Sequence, residues 1–486
     1  MNKQTGTQKL LVVRAALFGA VIATLPAIVA GQQSALPDAP STQLIATLAQ
    51  DSASYAAASA AGPQMPGGAQ AAAQPSTQPA CPPLTISQAE QMAIKNNPNI
   101  SVARLLALAQ AQVTREVRSV ELPTAFGDMT AVDAHDGSRI TAGALSNPSI
   151  YNRAAGGLTV SQLITDFGRT HNLVLSAQST AKAQLESERA TELDITLTLD
   201  QAFYQALTAQ AVLKVAQQTV AQRQATVDQV SALTKAKIRS DLDLSFADVQ
   251  LSQAKLLLLD AENNTQSAMA ALNNVLGSEQ DEQYSLVDET NGNPPPAPDD
   301  PEAMVQAALT ARPDLASLND SFLAAREYST AERDLWLPTV SAMAAVGGTP
   351  VRADQILSSW YGTAGANVSI PIFNGFLYNA EGKEAKLRAQ AAQENMRNLR
   401  DVIARDVRTA VLNAQTAYQR ITVTQQLLDQ ANFALDLASA RYKIGLSGIV
   451  EISEAQLNQT QAEIANTNAR YAYQTALAVV RYEVGQ

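Results

Sequence analysis

Two histidines, one cysteine and a pair of glutamates three residues apart are the side chains of this 486-residue sequence best suited to chemistry. His135 sits beside Asp133 and Asp136, which offers the donor types of a metal site, but neither it nor His171 has an HxxxH or HExxH partner. A solvated loop accounts for His135 better than a metal centre does. A lone histidine with no nearby nucleophile also gives no Ser-His-Asp triad. The single cysteine, Cys81, excludes an intramolecular disulfide, a thiolate cluster and a CxxC redox pair. The sequence is therefore not expected to be an enzyme or to hold a cofactor or metal. With 34 basic against 45 acidic residues, a net charge of −11 and 5% aromatics, it lacks both the basic face and the stacking platforms of a nucleic-acid binder. Glu451 and Glu454 lie three residues apart on one face of the helix expected to start after Gly448, where acidic side chains favour the helix N-terminus.

What positions them is a long chain with an export signal. Lys3, Lys9 and Arg14 precede the apolar run Ala15–Ala30, which ends in small residues, the order of a secretory signal peptide over residues 1–30. Its loss takes the charge to −14. Residues 31–83, rich in Ala, Gln, Ser and Pro, cannot bury enough surface to offset ordering and read as a flexible, disordered arm.

The remainder repeats itself. Asn97-Pro98 recurs as Arg312-Pro313, and Leu122-Pro123 as Leu337-Pro338, both at an offset of 215. Lys237-Ile238 recurs as Lys443-Ile444, and Asp248–Leu251 as Glu454–Leu457, both at 206, which implies nine extra residues in the first copy. Repeat 1 is assigned to residues 84–280, a Pro-rich linker to 281–300 and repeat 2 to 301–486. Thr85 with Gln88, Asp300 with Pro301, and Ser240 with Asp243 mark three helix starts. Neither Gly nor Pro interrupts Arg169–Leu276, so a helix over Arg169–Lys237 would run ~100 Å before the chain turns back at Arg239–Ser240. In the second copy the turn is Gly445–Gly448. Leu213, Val220 and Val227 recur at seven, with Ala216 and Val230 beside them, a thinned coiled-coil seam.

Between the helices the period changes to two. Val340–Gly347 and Asn367–Ile372 alternate apolar and more polar residues, as do Leu158, Val160 and Ile164, whereas Ala125–Asp133 alternates weakly. Two strands per copy give four per chain. Four cannot close a barrel, and open edges cannot face lipid, so several chains must contribute.

Five motifs in order then carry a resemblance over residues 84–486. They are Leu84–Pro98, Ala303–Pro313, Asp166–Arg169, Pro371–Gly375 and Arg441–Gln456. The chain resembles the TolC-type outer-membrane efflux proteins. That resemblance implies a mainly α fold with a small β part: duplicated helical hairpins in a homotrimer, forming a periplasmic tunnel continuous with a twelve-stranded barrel in outer-membrane lipid. It implies passive conduction of substrates from an inner-membrane pump through a periplasmic adaptor. It puts Glu451, Glu454 and Tyr442 at a periplasmic gate, with Asp248 as the copy-one equivalent of Glu454. Ser447 stands where a well-known member has an arginine. Ile444-Gly445-Leu446 resembles the tip motif offered to the adaptor, and Ile238-Arg239-Ser240 is the copy-one tip without the glycine. The competing reading is a periplasmic coiled-coil scaffold or adaptor without a pore; two hairpins with strands between the helices favour the channel.

Overall fold

Uninterrupted helix-forming sequence becomes uninterrupted helix. A computed structural model describes residues 82–133, 139–142, 145–149, 153–278, 284–289, 294–351 and 358–486. The signal sequence, the arm as far as Cys81, and His135-Asp136 lie outside the described residues. After a two-residue strand β1 (Pro83–Leu84), copy one runs α1 (Ile86–Asn96), α2 (Pro98–Ser119), β2 (Thr124–Val132), β3 (Arg139–Ala142), β4 (Leu145–Ser149), β5 (Arg153–Thr165), α3 (Arg169–Lys235) and α4 (Asp241–Leu276). The short β6 (Ser285–Leu286) pairs in parallel with β1, so Pro83, placed in the arm by composition, is held in a strand. Copy two runs α5 (Pro301–Ala311), α6 (Pro313–Arg333), β7 (Thr339–Val351), β8 (Trp360–Ser369), α7 (Leu377–Lys443) and α8 (Ile449–Val484).

The long helices match residue for residue. α3 and α7 have 67 residues each, and α4 and α8 have 36 each. Both pairs are offset by 208, whereas α1 with α5 and α2 with α6 are offset by 215. The helical register thus corrects the sequence offset of 206. The first copy's extra length is seven residues, not nine, and it lies wholly between Pro123 and Asp166.

Cores repeat as well. Ile195, Leu199 and Phe203 pack with Ala89, Ala93, Leu272 and Leu276 in copy one. Their equivalents Ile403, Val407 and Val411 pack with Val305, Ala308 and Leu315 in copy two. Each fully buried side chain of this size contributes roughly 1.5–3 kcal/mol. Lower on α3, the buried positions at seven-residue spacing are Ala209, Ala216, Arg223 and Val230. Leu213 and Val220 are only half-buried, so the seam lies to one side of the expected heptad and is more polar.

All four long strands form one antiparallel sheet in the order β2-β5-β7-β8, with β5 and β7 joining the copies. The sequence missed the β3–β4 hairpin and the β1–β6 pair. One face of the large sheet carries Met129, Leu158, Val160, Val346, Trp360 and Val368; the other carries Thr124, Asp128, Thr159, Ser161, Thr363 and Asn367. β2 looked weak because Phe126 and Gly127 break the alternation on their respective faces. No helix among the described residues is long and apolar enough to cross a membrane.

Candidate gate and docking tips

Each long hairpin turns through the same backbone. In copy one the Ile238 amide donates to Leu233 O (2.9 Å) and the Lys237 amide to Thr234 O (2.9 Å). In copy two the Leu446 amide donates to Arg441 O (2.9 Å) and the Gly445 amide to Tyr442 O (3.1 Å). This double bond past a helix end needs one left-handed residue. Gly445 supplies it with φ 77° and Lys237 with φ 60°. The structural counterpart of Ile444-Gly445-Leu446 is therefore Ala236-Lys237-Ile238. Arg239 and Ser240 correspond to Ser447 and Gly448. Ile238, Ile444 and Leu446 are all about 70% exposed, standing out as apolar knobs.

The same register moves the acidic positions. Glu454 corresponds to Phe246 and Glu451 to Asp243, while Asp248 corresponds to the buried Gln456, so Asp248 is not the copy-one twin of Glu454. The short Asp-Val-Gln-Leu and Glu-Ala-Gln-Leu strings misaligned by two residues, a slip only the helix ends reveal. Asp248 and Glu454 are exposed and form no ion pair among the described residues. Glu451 lies 3.5 Å from Arg441, one turn away across the hairpin.

Tyr442 behaves differently from these carboxylates. It is buried among Val230, Ala247, Ile449 and Ile452, where the two hairpins meet. Arg239 stacks over its ring at 4.7 Å, so a residue expected at the docking tip and one expected at the gate are brought together. Burial pushes the phenol above its usual range, and Arg239 opposes the shift. Its hydroxyl and that of Ser447 are buried without a hydrogen-bond partner among the described residues. The arginine missing at Ser447 is thus present at the equivalent position of the other copy.

Sequence reasoning missed Arg223. This buried guanidinium donates to the Gln456 side chain and to Ser453 O (3.4 Å), and Thr219 meets Thr460 at 3.4 Å one turn above. No carboxylate pairs with it among the described residues, and burial lowers its pKa. An arginine on a seven-residue seam of alanines was the available signal. No group of three or more metal-ligand side chains occurs among the described residues.

Exposed apolar hairpin tips, carboxylates near them and a half-polar sheet on the strands between the helices belong to a known architecture. The Salmonella enteritidis outer membrane protein TolC is 26% identical over 423 residues, covering 82% of this chain and 83% of that protein. The Escherichia coli TolC is 25% identical over 413 residues, covering 80% of this chain and 81% of its own length. Among solved structures, the Campylobacter jejuni CmeC outer membrane channel superposes with a TM-score of 0.72 at 20% identity, covering 82% of this chain and 85% of that one. The Neisseria gonorrhoeae MtrE channel, in its open state, gives 0.68 at 19%, covering 82% and 88%. The profile of the outer membrane efflux protein family matches residues 90–278 and 304–486, most of both copies. The curated relatives are named outer membrane proteins, which places the chain in the outer membrane. The chain belongs to the outer membrane efflux protein family, a family of channels and not of enzymes.

Proposed function

We propose that three copies of this chain close a twelve-stranded barrel and a continuous helical tunnel, which passively conducts substrates from an inner-membrane pump and a periplasmic adaptor to the exterior. The observation that carries this reading is the four-stranded sheet. One of its faces is wholly apolar over its central rows, the other is more polar, with Asp128, Thr159, Ser161 and Thr363 beside Phe126 and Met343, and β2 and β8 each leave an edge that no strand among the described residues covers. Such edges are tolerable in lipid only if neighbouring copies pair with them.

In this reading Glu451 and Glu454 line the periplasmic entrance of the trimer, with Asp248 adding charge from the adjacent hairpin. Tyr442 holds that entrance shut by packing, since its hydroxyl makes no bond among the described residues and its ring is covered by Arg239. The Ile444–Leu446 tip presents the adaptor surface, with Ile238 as its copy-one partner. Repeat 1 (84–280), the linker (281–300) and repeat 2 (301–486) act as one functional unit: Tyr473 fastens the linker at Pro295 O (2.7 Å) and Gln415 at Pro298 O (2.9 Å).

The test is purification in detergent followed by planar-bilayer recording. A trimer that conducts supports the proposal; a monodisperse monomer with full conductance overturns it. In recordings of the assembled trimer, Glu451→Gln/Glu454→Gln should lower cation selectivity and weaken block by multivalent cations added on the periplasmic side. Wild-type behaviour in both would leave the two glutamates as helix-end residues only.

A further inference from the structure

Far from the gate, one row of the barrel sheet has an unusual make-up. The register aligns Asp128, Gly157, Gly347 and Tyr361 across the four strands, all on the polar face. The two central positions carry no side chain. A Cβ built on Gly347 would stand 2.5 Å from Tyr361 Cζ, and one on Gly157 would collide with the Tyr361 hydroxyl. The tyrosine therefore lies flat across two strands, one ring face on a glycine floor and the other turned to the lumen side. Its hydroxyl ends over β5, about one strand spacing (~4.8 Å) from the strand that carries Asp128. Among the strand residues of this sheet whose side chains are described, Asp128 is the only charged one, and it is exposed. On the opposite face Trp360 lies over Gly362 of its own strand, where a built Cβ would stand 3.2 Å from its Cζ3.

We infer that Asp128 and Tyr361 form a recognition spot for cationic groups on the barrel's lumen wall, made within each chain and repeated in each copy. A carboxylate supplies the charge, and a flat, wall-mounted aromatic face supplies cation–π attraction without narrowing the pore. The ligand class is a hydrated cation or the ammonium group of a cationic solute. The inference rests on the trimeric channel reading, which alone turns this face inward.

The experiment is single-channel recording in a KCl gradient with Cys81→Ser/Asp128→Cys, modified after assembly so that folding is not in question. A sulfonatoethyl thiol reagent restores negative charge and a trimethylammonium-ethyl reagent reverses it. The K⁺/Cl⁻ permeability ratio should differ by about two-fold or more between the two adducts. The same contrast should persist in the Glu451→Gln/Glu454→Gln background. Tyr361→Ala should weaken block by tetramethylammonium, whereas Tyr361→Phe should retain it. A conducting channel whose selectivity is the same with both adducts, or whose thiol does not react, overturns the role of Asp128. Unchanged tetramethylammonium block in Tyr361→Ala overturns that of the ring. Absence of any conducting trimer from the unmodified chain instead removes the channel reading itself, and this inference with it.

Discussion

At the tip of copy one a lysine holds the left-handed position that a glycine holds in copy two, while a Ser240–Asp243 box caps the returning helix. Copy two has the relaxed turn but starts its returning helix at Gly448 with no side-chain cap. A similar exchange occurs at the other end of the hairpins. Asn97 caps Asn99 and donates to Val275 O (2.9 Å); its equivalent Arg312 reaches the equivalent carbonyl, Glu483 O, at 3.5 Å and also binds the Asp314 and Glu483 carboxylates (2.7 and 2.5 Å). The backbone shape is shared, and the residues that satisfy it have diverged. Duplication has kept the joint and changed the fastening.

The largest effect should separate the two fastenings. Arg312→Ala leaves two carboxylates beside an apolar gap and should lower stability by roughly 3 kcal/mol. Asn97→Ala removes neutral hydrogen bonds and should cost about 1 kcal/mol. Guanidinium unfolding of the two variants measures both, and equal losses would break the comparison.

A second contrast lies at Asp200 and its equivalent Arg408. Asp200 is buried, with Arg481 at 3.1 Å, whereas Arg408 is half-exposed and pairs with Glu302 at 2.8 Å. Burial pushes the Asp200 carboxyl up to about 6; Arg481 opposes this, and Glu90 adds to it. The folded state therefore favours the protonated form. The stabilisation is complete below the ordinary value of 3.8 and disappears as pH rises through about 6. Lowering the pH from 7 to 5 should raise stability by about 1 kcal/mol relative to Asp200→Asn. Parallel pH profiles for the two proteins would refute the assignment.

Exchanging the tips should have an effect of similar size but opposite sign. Lys237→Gly relieves a left-handed side chain and should slow tip hydrogen exchange by about 1 kcal/mol, while Gly445→Ala should speed it by as much. Gly445→Ala should also reduce efflux while trimer assembly and export persist. Smallest of all, Gly448→Ser offers the missing cap and should add about 0.5 kcal/mol, read from the same amides.

Much of the helical framework was legible because its signals are local. Thr85-Gln88, Ser240-Asp243 and Asp300-Pro301 cap the helices they mark, and the Gly- and Pro-free run Arg169–Leu276 is helix except at the turn over 236–240. The register between copies was not legible, since two four-residue strings matched better by chance than the helices they sit on. Arg223, Asp200 and Arg312 were missed for a different reason. Arg223 and Asp200 are charged residues in a polar helix and Arg312 is the cap between two helices, and only tertiary packing decides which of many such residues is buried. Phe167 with Gly168, and Gly375 with Phe376, show the same limit: both junctions use two left-handed residues in succession, yet phenylalanine and glycine trade places between copies.

The equal lengths of the long helices make the chain a matched pair of rulers. Loss of one residue from α3 alone would draw its tip back by ~1.5 Å and turn every contact beyond the cut by ~100° relative to the partner hairpin. Length can change in these helices only if both copies change together, or by whole heptads. Within the interval between Pro123 and Asp166, where the copies already differ by seven residues, only the connection from β2 to β5 has no such bookkeeping to keep, since the two strands are held in register. A peptide tag or an epitope belongs there. An insertion scan across the gene should find its permissive sites crowded into that connection and its copy-two counterpart, with long silent gaps wherever the helices run in step.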